Sequence, residues 1–257
     1  MSERSLHLSY IRRCLDLARL SPPKPTNFRV GSILLYRRPK SSQPQSQNKT
    51  PSIPTCESLP VQAVDSEEYE DTILSTGYTL ELEGNTHAEQ CCLAKYAAAQ
   101  SKTTMTTTTT TTTNTTPEGK TILYVTMEPC GKRLSGNDPC AKRIAATRSA
   151  DSTISPFTQI DKVYFGVKEP GTFVGQSIGC KLLDEAGVDW ELVQGLEREI
   201  LDVATEGHVK SDEERERARV EAEATRIGED DISAREKERQ AGVQRNPMKR
   251  MMEADVE

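Results

Sequence analysis

Three metal-binding side chains and one carboxylate stand out in this sequence because their types and spacing suit zinc chemistry. His87 and Glu89 lie two residues apart in the segment His-Ala-Glu, while Cys130 and Cys140 each follow a proline. One imidazole and two thiolates are three ligands of a tetrahedral zinc ion, and the fourth position then stays open for water, as in catalytic sites. Zinc makes hydroxide available near neutral pH, and Glu89 is placed to move protons. The set predicts hydrolytic deamination of an amino-substituted nitrogen heterocycle.

Each of these side chains also has a purely structural interpretation, and the sequence leaves both open. A single histidine on a helix is often a packed residue, and unreactive cysteines are often part of a core. Thr86 and Glu89 have the spacing of a capping box at a helix start. Cys91 follows His87 by one helical turn and is an alternative ligand. A ligand that deep in the helix would draw the metal away from the helix start, so we expect Cys91 and Cys92 to be buried.

The residues around Cys140 have the pattern of a helix start. We expect Asp138 to be the N-cap and Pro139 to be the first helical residue, which puts Cys140 in the first turn. Free amides and the helix dipole at that position favour a thiolate over a thiol, and the thiolate is the form that binds metal.

Composition limits the class of protein and its partners. Hydrophobic residues make up 35% and aromatic residues 5% of the 257 residues, so only part of the chain is expected to form a core. A net charge of -6 without a broad Lys/Arg stripe favours a small substrate over a nucleic acid. The odd number of cysteines, seven, does not suggest a secreted disulfide framework. With no signal peptide or membrane-spanning stretch visible, we expect a cytosolic or nuclear protein without a membrane partner.

Helical and extended patterns alternate along the chain and predict a layered α/β domain over residues 1–209 with a mainly parallel or mixed sheet. Helical patterns occupy residues 5–20, 87–99, 139–149 and 179–185 and resume near 195, and strand patterns occupy 28–36, 72–82, 121–127, 162–167 and 188–193. Residues 37–66 and 101–117 are expected to be low-complexity insertions, because the first is dominated by Ser, Pro and Gln and the second is a threonine run without a periodic apolar face. Residues 210–257 form a charged tail, either helical or disordered.

The motif His-Ala-Glu, followed by Pro-Cys and a second cysteine, resembles the cytidine deaminase superfamily, whose usual signature is H-x-E with P-C-x-x-C. Here nine residues separate Cys130 from Cys140. With that spacing, residues 84–91 and 126–140 are similar to the pyrimidine deaminases of riboflavin biosynthesis, fungal branch. Residues 165–174 extend the likeness, which covers approximately residues 5–208.

This resemblance implies a three-layer α/β/α fold with a central five-stranded mixed sheet, one zinc ion per active site and commonly a homodimer. It also implies His87, Cys130 and Cys140 as zinc ligands and Glu89 as the proton shuttle. The implied substrate is a diaminopyrimidinone that carries a ribitylamino 5′-phosphate chain, and the implied products are the corresponding uracil and ammonia.

Candidates for substrate binding lie before the first strand and between the two cysteines. Asn27 matches an asparagine that helps to hold the sugar-like chain in relatives, although it also suits a turn before a strand. The loop residues expected to approach the phosphate or the ribityl hydroxyls are Arg133, Ser135 and Asn137. For Lys132 we expect a solvated surface position, and Phe173 suits either a pocket wall or a core.

Two other functions stay open from the sequence. A nucleotide deaminase of the deoxycytidylate type, or a tRNA-base deaminase, would use the same zinc chemistry, but the acidic charge and the long spacing between the cysteines argue against it. An alternative of another class is a non-catalytic, zinc-stabilised interaction module whose charged tail binds partners.

Overall fold

The computed structural model describes residues 2–40, 61–106, 119–133, 135–148, 159–169 and 177–208. These residues belong to one compact unit that spans Met1–His208. Phe173, the charged tail and most of the two predicted insertions lie outside the described residues. None of the helices within the described ranges has the length and apolar character needed to cross a bilayer.

The described residues form five helices and five strands, and the strands build one mixed sheet. In chain order the elements are α1 Glu3–Ala18, β1 Gly31–Pro39, β2 Tyr69–Tyr78, α2 Ala88–Thr106, β3 Lys120–Met127, α3 Cys140–Ala146, β4 Lys162–Val167, α4 Ile178–Glu185, β5 Asp189–Leu192 and α5 Glu197–Ala204. The strand order is β2-β1-β3-β4-β5. Strand β1 is antiparallel to both neighbours, whereas β3, β4 and β5 are parallel. The prediction of a five-stranded mixed sheet is therefore confirmed.

Helices cover both faces of the sheet, which gives the three layers that the family resemblance implied. On one face α1 and α5 contribute Leu6, Ile11 and Ile200 to a core with alternate strand residues. On the other face α2, α3 and α4 contribute Tyr96, Ile144 and Leu183. Strands covered on both faces need apolar side chains in both directions. Accordingly, every residue of β3 after Lys120 is buried.

The first predicted insertion is shorter than the sequence suggested, because its ends are parts of the fold. Strand β1 continues through Pro39, and Arg37 there donates two hydrogen bonds of 2.7 Å to Asp71 on β2. This bidentate ion pair between the two strands stabilises their pairing beyond the apolar residues from which the strand was predicted. At the other end of the insertion, Val64 is buried and its N–H donates to the Tyr10 hydroxyl at 3.0 Å.

The second predicted insertion also begins later than expected, because α2 continues through Thr106. Residues 97–99 are three consecutive alanines, and alanine has the highest intrinsic helix propensity. Extending a helix that has already formed costs little compared with starting one. The alanine run therefore carries the helix into the first threonines, which the sequence interpretation had assigned to a loop.

Gly77 on β2 allows the start of α2 to lie directly against the sheet. A Cβ atom at this position would lie 2.2 Å from the carbonyl oxygen of Ala88 and 2.6 Å from the amide nitrogen of Cys92. Both are backbone atoms, so no side-chain rotation can relieve the overlap. The absence of a side chain at Gly77 thus fixes the position of the helix start that carries His87 and Glu89.

Gly77→Ala is expected to lower the free energy of unfolding by about 1–3 kcal/mol or more, since overpacking against backbone forces the helix to shift. Denaturant unfolding of the variant and the unmodified protein would measure this difference. An unchanged midpoint would show that α2 can move away from β2 without cost.

Candidate zinc and substrate site

The predicted metal ligands lie where three elements meet at the carboxyl end of β3. His87 immediately precedes α2, Cys130 follows β3 after a short Glu-Pro turn, and Cys140 is the first residue of α3. Strands β3 and β4 are parallel, so both of their carboxyl ends open at the same edge of the sheet. Ligand sites in open α/β sheets commonly occupy this edge.

The donor atoms of His87, Cys130 and Cys140 form a compact group that fits a zinc ion. The Nδ1 atom of His87 lies 3.5 Å from Cys130 Sγ and 3.4 Å from Cys140 Sγ. All three donor atoms lie within 4.8 Å of one another. A tetrahedral zinc with ordinary bond lengths holds a nitrogen and a sulfur ligand about 3.6 Å apart. The spacing and the mixed nitrogen and sulfur donors therefore suit zinc.

The two thiols differ in their protonation without a metal. The pKa of Cys130 is lowered to about 4, first by a hydrogen bond from the Cys140 thiol and then by His87. The same pairing with Cys130, together with burial, raises the pKa of Cys140 well above its usual value. This pairing therefore favours the thiolate form of Cys130, and the thiolate is the form of cysteine that binds zinc.

The helix start at Cys140 differs in detail from its prediction. Pro139 is the N-cap and not the first helical residue, and its side chain offers no capping atom. Asp138 does not cap the helix but pairs with Lys142 at 2.7 Å. The amide N–H of Cys140 lies 3.3 Å from Cys130 Sγ, so the free amide stabilises the thiolate of the other cysteine. The predicted effect of the helix start therefore acts on Cys130.

Glu89 is only 3% exposed and lines the cavity beside the metal ligands. Burial, followed by the negative charge of Cys130, raises the pKa of its carboxyl group. Thr86 and Glu89, which had the spacing of a capping box, have a different geometry in the structure. Helix α2 begins at Ala88, and the Thr86 hydroxyl donates to the carbonyl of Leu82 at 3.0 Å. The carboxylate is therefore placed next to the donor group in the first turn of α2.

Cys91 and Cys92 are fully buried, as the sequence interpretation expected. Among the described residues, the group of donors that could hold a metal contains neither of them. Cys92 lies against β2, because a Cβ atom at Gly77 would be 2.9 Å from its Cβ atom.

A cavity of about 250 Å³ opens beside the donor group. Its wall includes His87, Glu89, Cys130 and three of the predicted substrate residues, namely Asn27, Arg133 and Ser135. Lys132, for which we expected a surface position, is exposed but also lines this cavity. Asn137 is exposed and is not part of the cavity wall. The structure thus brings together most of the predicted site, while Asn137 stays a prediction.

Asn85 connects two of the predicted substrate residues, although no role was predicted for it. Its side-chain oxygen accepts a hydrogen bond of 2.7 Å from Asn27 Nδ2, and its carbonyl accepts one of 2.7 Å from Arg133. Arg133 also donates to Gln90 Oε1 at 3.0 Å. These bonds tie the loop between the cysteines to the segment before β1. The position of Asn85 inside the motif that contains His87 was the available signal.

Two acidic residues at the cavity were also missed from the sequence. Burial, followed by the charges of Cys130 and Glu128, raises the pKa of Glu169 to about 7. Glu128 is itself buried, and burial raises its pKa. Each of them immediately precedes a proline in a segment that carried the resemblance, which was the only local sign of a role.

Comparisons with known proteins agree with this geometry. Residues 4–155 match the family model of the cytidine and deoxycytidylate deaminase zinc-binding region. The chain is similar to Aspergillus oryzae Rib2 deaminase, crystallised as a C-terminal deletion mutant in complex with DARIPP at pH 6.5. Identity is 46% over 82% of this chain and 94% of that chain, with a TM-score of 0.57. The same deletion mutant at pH 4.6 gives 46% identity over 83% and 97% of the two chains and a TM-score of 0.57.

A curated relative of this chain is the diaminohydroxyphosphoribosylamino-pyrimidine deaminase of Schizosaccharomyces pombe. It is 34% identical over 116 residues, which are 45% of this chain and 22% of the relative. The chain therefore spans about a fifth of the length of that relative.

The family model covers more than half of the chain, and the zinc-binding region that it describes contains the donor group of His87, Cys130 and Cys140. Glu89 lies beside those donors in the same cavity. The chain therefore belongs to the cytidine and deoxycytidylate deaminase family, and it is similar to Rib2 deaminase over most of its length.

Proposed function

We propose that this protein is a zinc-dependent hydrolytic deaminase that converts 2,5-diamino-6-ribitylamino-4(3H)-pyrimidinone 5′-phosphate to 5-amino-6-ribitylamino-uracil 5′-phosphate and ammonia, a step of riboflavin biosynthesis. The observation that carries the proposal is the combination, in one cavity, of a zinc donor group with Asn27, Lys132 and Arg133. The names of the fungal relatives support the same substrate class, since the 46% identical Rib2 deaminase was crystallised with DARIPP. The reaction consumes one water, replaces a ring C–NH₂ group with C=O and releases one ammonia.

The proposed catalytic residues act on the ring of the substrate. His87, Cys130 and Cys140 would hold the zinc ion. When bound, zinc lowers the pKa of water to about 7 and so supplies the nucleophile for the amino-bearing ring carbon. Glu89 takes a proton from the attacking water and gives it to the adjacent ring nitrogen. It then takes the remaining hydroxyl proton and passes it to the departing amine, so that C=O forms and ammonia leaves. The burial of Glu89 beside the donor group keeps bulk water from competing for these protons.

The proposed binding residues hold the chain that projects from the ring. Asn27 and Ser135 offer hydrogen bonds for ribityl hydroxyls, and Lys132 and Arg133 offer positive charge for the phosphate. Arg133 already bonds to Gln90 and Asn85, so its guanidinium is held in place before any substrate arrives. A prepositioned charge loses less side-chain entropy on binding than a freely rotating one.

The purified protein is expected to release ammonia from the ribitylamino pyrimidine phosphate with a kcat/KM at least about 100-fold higher than with cytidine or deoxycytidylate. The reason is that cytidine has no phosphate, while in deoxycytidylate a furanose ring holds the phosphate and the hydroxyl at positions different from those that the open ribityl chain can reach. A coupled ammonia assay on the three substrates measures the ratio. A reversed preference would assign the chain to nucleotide deamination, and the dephosphorylated pyrimidine serves as a control for the phosphate contact.

We also propose that the protein acts as a homodimer in the cytosol or nucleus. The six cysteines in the part of the chain that the structure describes are all free, which supports a reducing environment. Sedimentation analysis of the purified protein and imaging of a tagged chain test the two statements separately.

A further inference from the structure

The turn that follows α5 packs against the segment that precedes β1, far away in sequence. The amide of Arg29 donates to the carbonyl of Ala204 at 3.0 Å, and the buried Arg29 guanidinium forms an ion pair with Glu206. Gly207 has a φ of +92° and lies so close that a Cβ atom would be 2.8 Å from Pro23. The turn therefore makes close contact along residues 23–29.

His208 makes the contact nearest to the site. Its Nε2 atom lies 3.0 Å from the carbonyl oxygen of Asn27. A carbonyl can only accept, so Nε2 carries the proton of this hydrogen bond. The imidazole also contacts the ring of Phe28, with centroids 4.9 Å apart and planes inclined by 43°. Asn27 and Phe28 both line the cavity.

Asn27 is consequently fixed from two directions. His208 holds its backbone, while Asn85 accepts a 2.7 Å hydrogen bond from its side-chain Nδ2. The amide oxygen of Asn27 accepts from the Thr26 hydroxyl at 3.0 Å. An asparagine amide has two N–H donors and two acceptor lone pairs, so one donor and one lone pair stay available to a ligand.

We propose that His208 is a positioning residue that acts through Asn27 and sets the affinity for the chain of the substrate. The inference rests on the proposed substrate contact of Asn27. His208 itself is not part of the cavity wall, so it has no direct contact with substrate in this role. Its effect is to keep the Asn27 amide aimed into the cavity before the substrate binds, which lowers the ordering cost of binding.

Two substitutions in the full chain separate the hydrogen bond from the ring contact. His208→Phe keeps a ring against Phe28 but removes the N–H, and it is expected to raise KM about 3- to 10-fold with kcat within about twofold. His208→Gln keeps an N–H donor and is expected to restore most of the affinity. Asp202→Asn, at an exposed position of α5, is the control for a change nearby. Equal KM values for the Phe and Gln variants, or a larger defect with Gln, would overturn the inference.

A double-mutant cycle tests whether the effect passes through Asn27. In an Asn27→Ala background there is no amide to aim, so His208→Phe is expected to change KM by less than about twofold. If His208→Phe raises KM by the same factor in the Asn27→Ala background as in the unmodified chain, its role is generally structural and the inference is overturned. Absence of turnover by the unmodified chain would overturn the proposed substrate as well, whereas a normal KM for His208→Phe in an active enzyme overturns the His208 role alone.

Discussion

Glu89→Gln is expected to lower kcat by about 100- to 10,000-fold while the protein stays folded and keeps its zinc. The amide has the shape of the carboxyl group but cannot take a proton from water and pass it to the ring nitrogen and the leaving amine. Because Glu89 is buried beside the donor group, solvent has little access to replace it. The assay is ammonia release at saturating substrate, with zinc content and the melting temperature measured on the same preparation.

Glu83→Gln is the matched control for this experiment. Glu83 is exposed, lies in the loop that leads to His87, and undergoes the same chemical change. Its kcat is expected to equal that of the unmodified protein. Unimpaired turnover by Glu89→Gln would assign the proton transfer to another group, for which Glu169 in the same cavity would be the first candidate to test.

The zinc donor group was predictable because its signals are local. Each ligand lies within a few residues of a helix start or a strand end, and prolines mark the two cysteine positions. Strands buried on both faces, such as β3 and β4, appear as nearly continuous apolar runs, and the predicted bounds of β4, Lys162–Val167, agree with those observed. Local pattern and tertiary environment agree in these elements.

The parts that could not be predicted depend on partners distant in sequence. The end of β1 carries Arg37, Arg38 and Pro39, which suggest a loop until Asp71 and its neighbours pair with them across the ladder. His208 and Asn27 are 181 residues apart, and neither segment shows by itself that it faces the other. The amide of Cys140 donates to Cys130 Sγ, and this contact exists only because the folded chain brings the two cysteines together.

Cys140→Ser is expected to lower zinc affinity more than about 100-fold and to reduce kcat/KM in parallel. Substitution of residues that merely support a ligand already costs about 10- to 100-fold in metal affinity, so loss of a ligand should cost more. A serine hydroxyl binds zinc poorly because it stays protonated, whereas a thiolate is a soft anion well matched to this metal. Zinc per chain after dialysis, measured by elemental analysis, and turnover in the same samples provide the two readouts.

Cys91→Ser is the matched control for this experiment. Cys91 and Cys140 are equally buried, so both substitutions place a hydroxyl in a buried position and carry the same packing and desolvation cost. Only Cys140 belongs to the donor group. We therefore expect similar losses of stability from burial in the two variants but loss of zinc in Cys140→Ser alone. Zinc loss from Cys91→Ser with retention by Cys140→Ser would move the metal to the side of α2 and reject the geometry on which the mechanism rests.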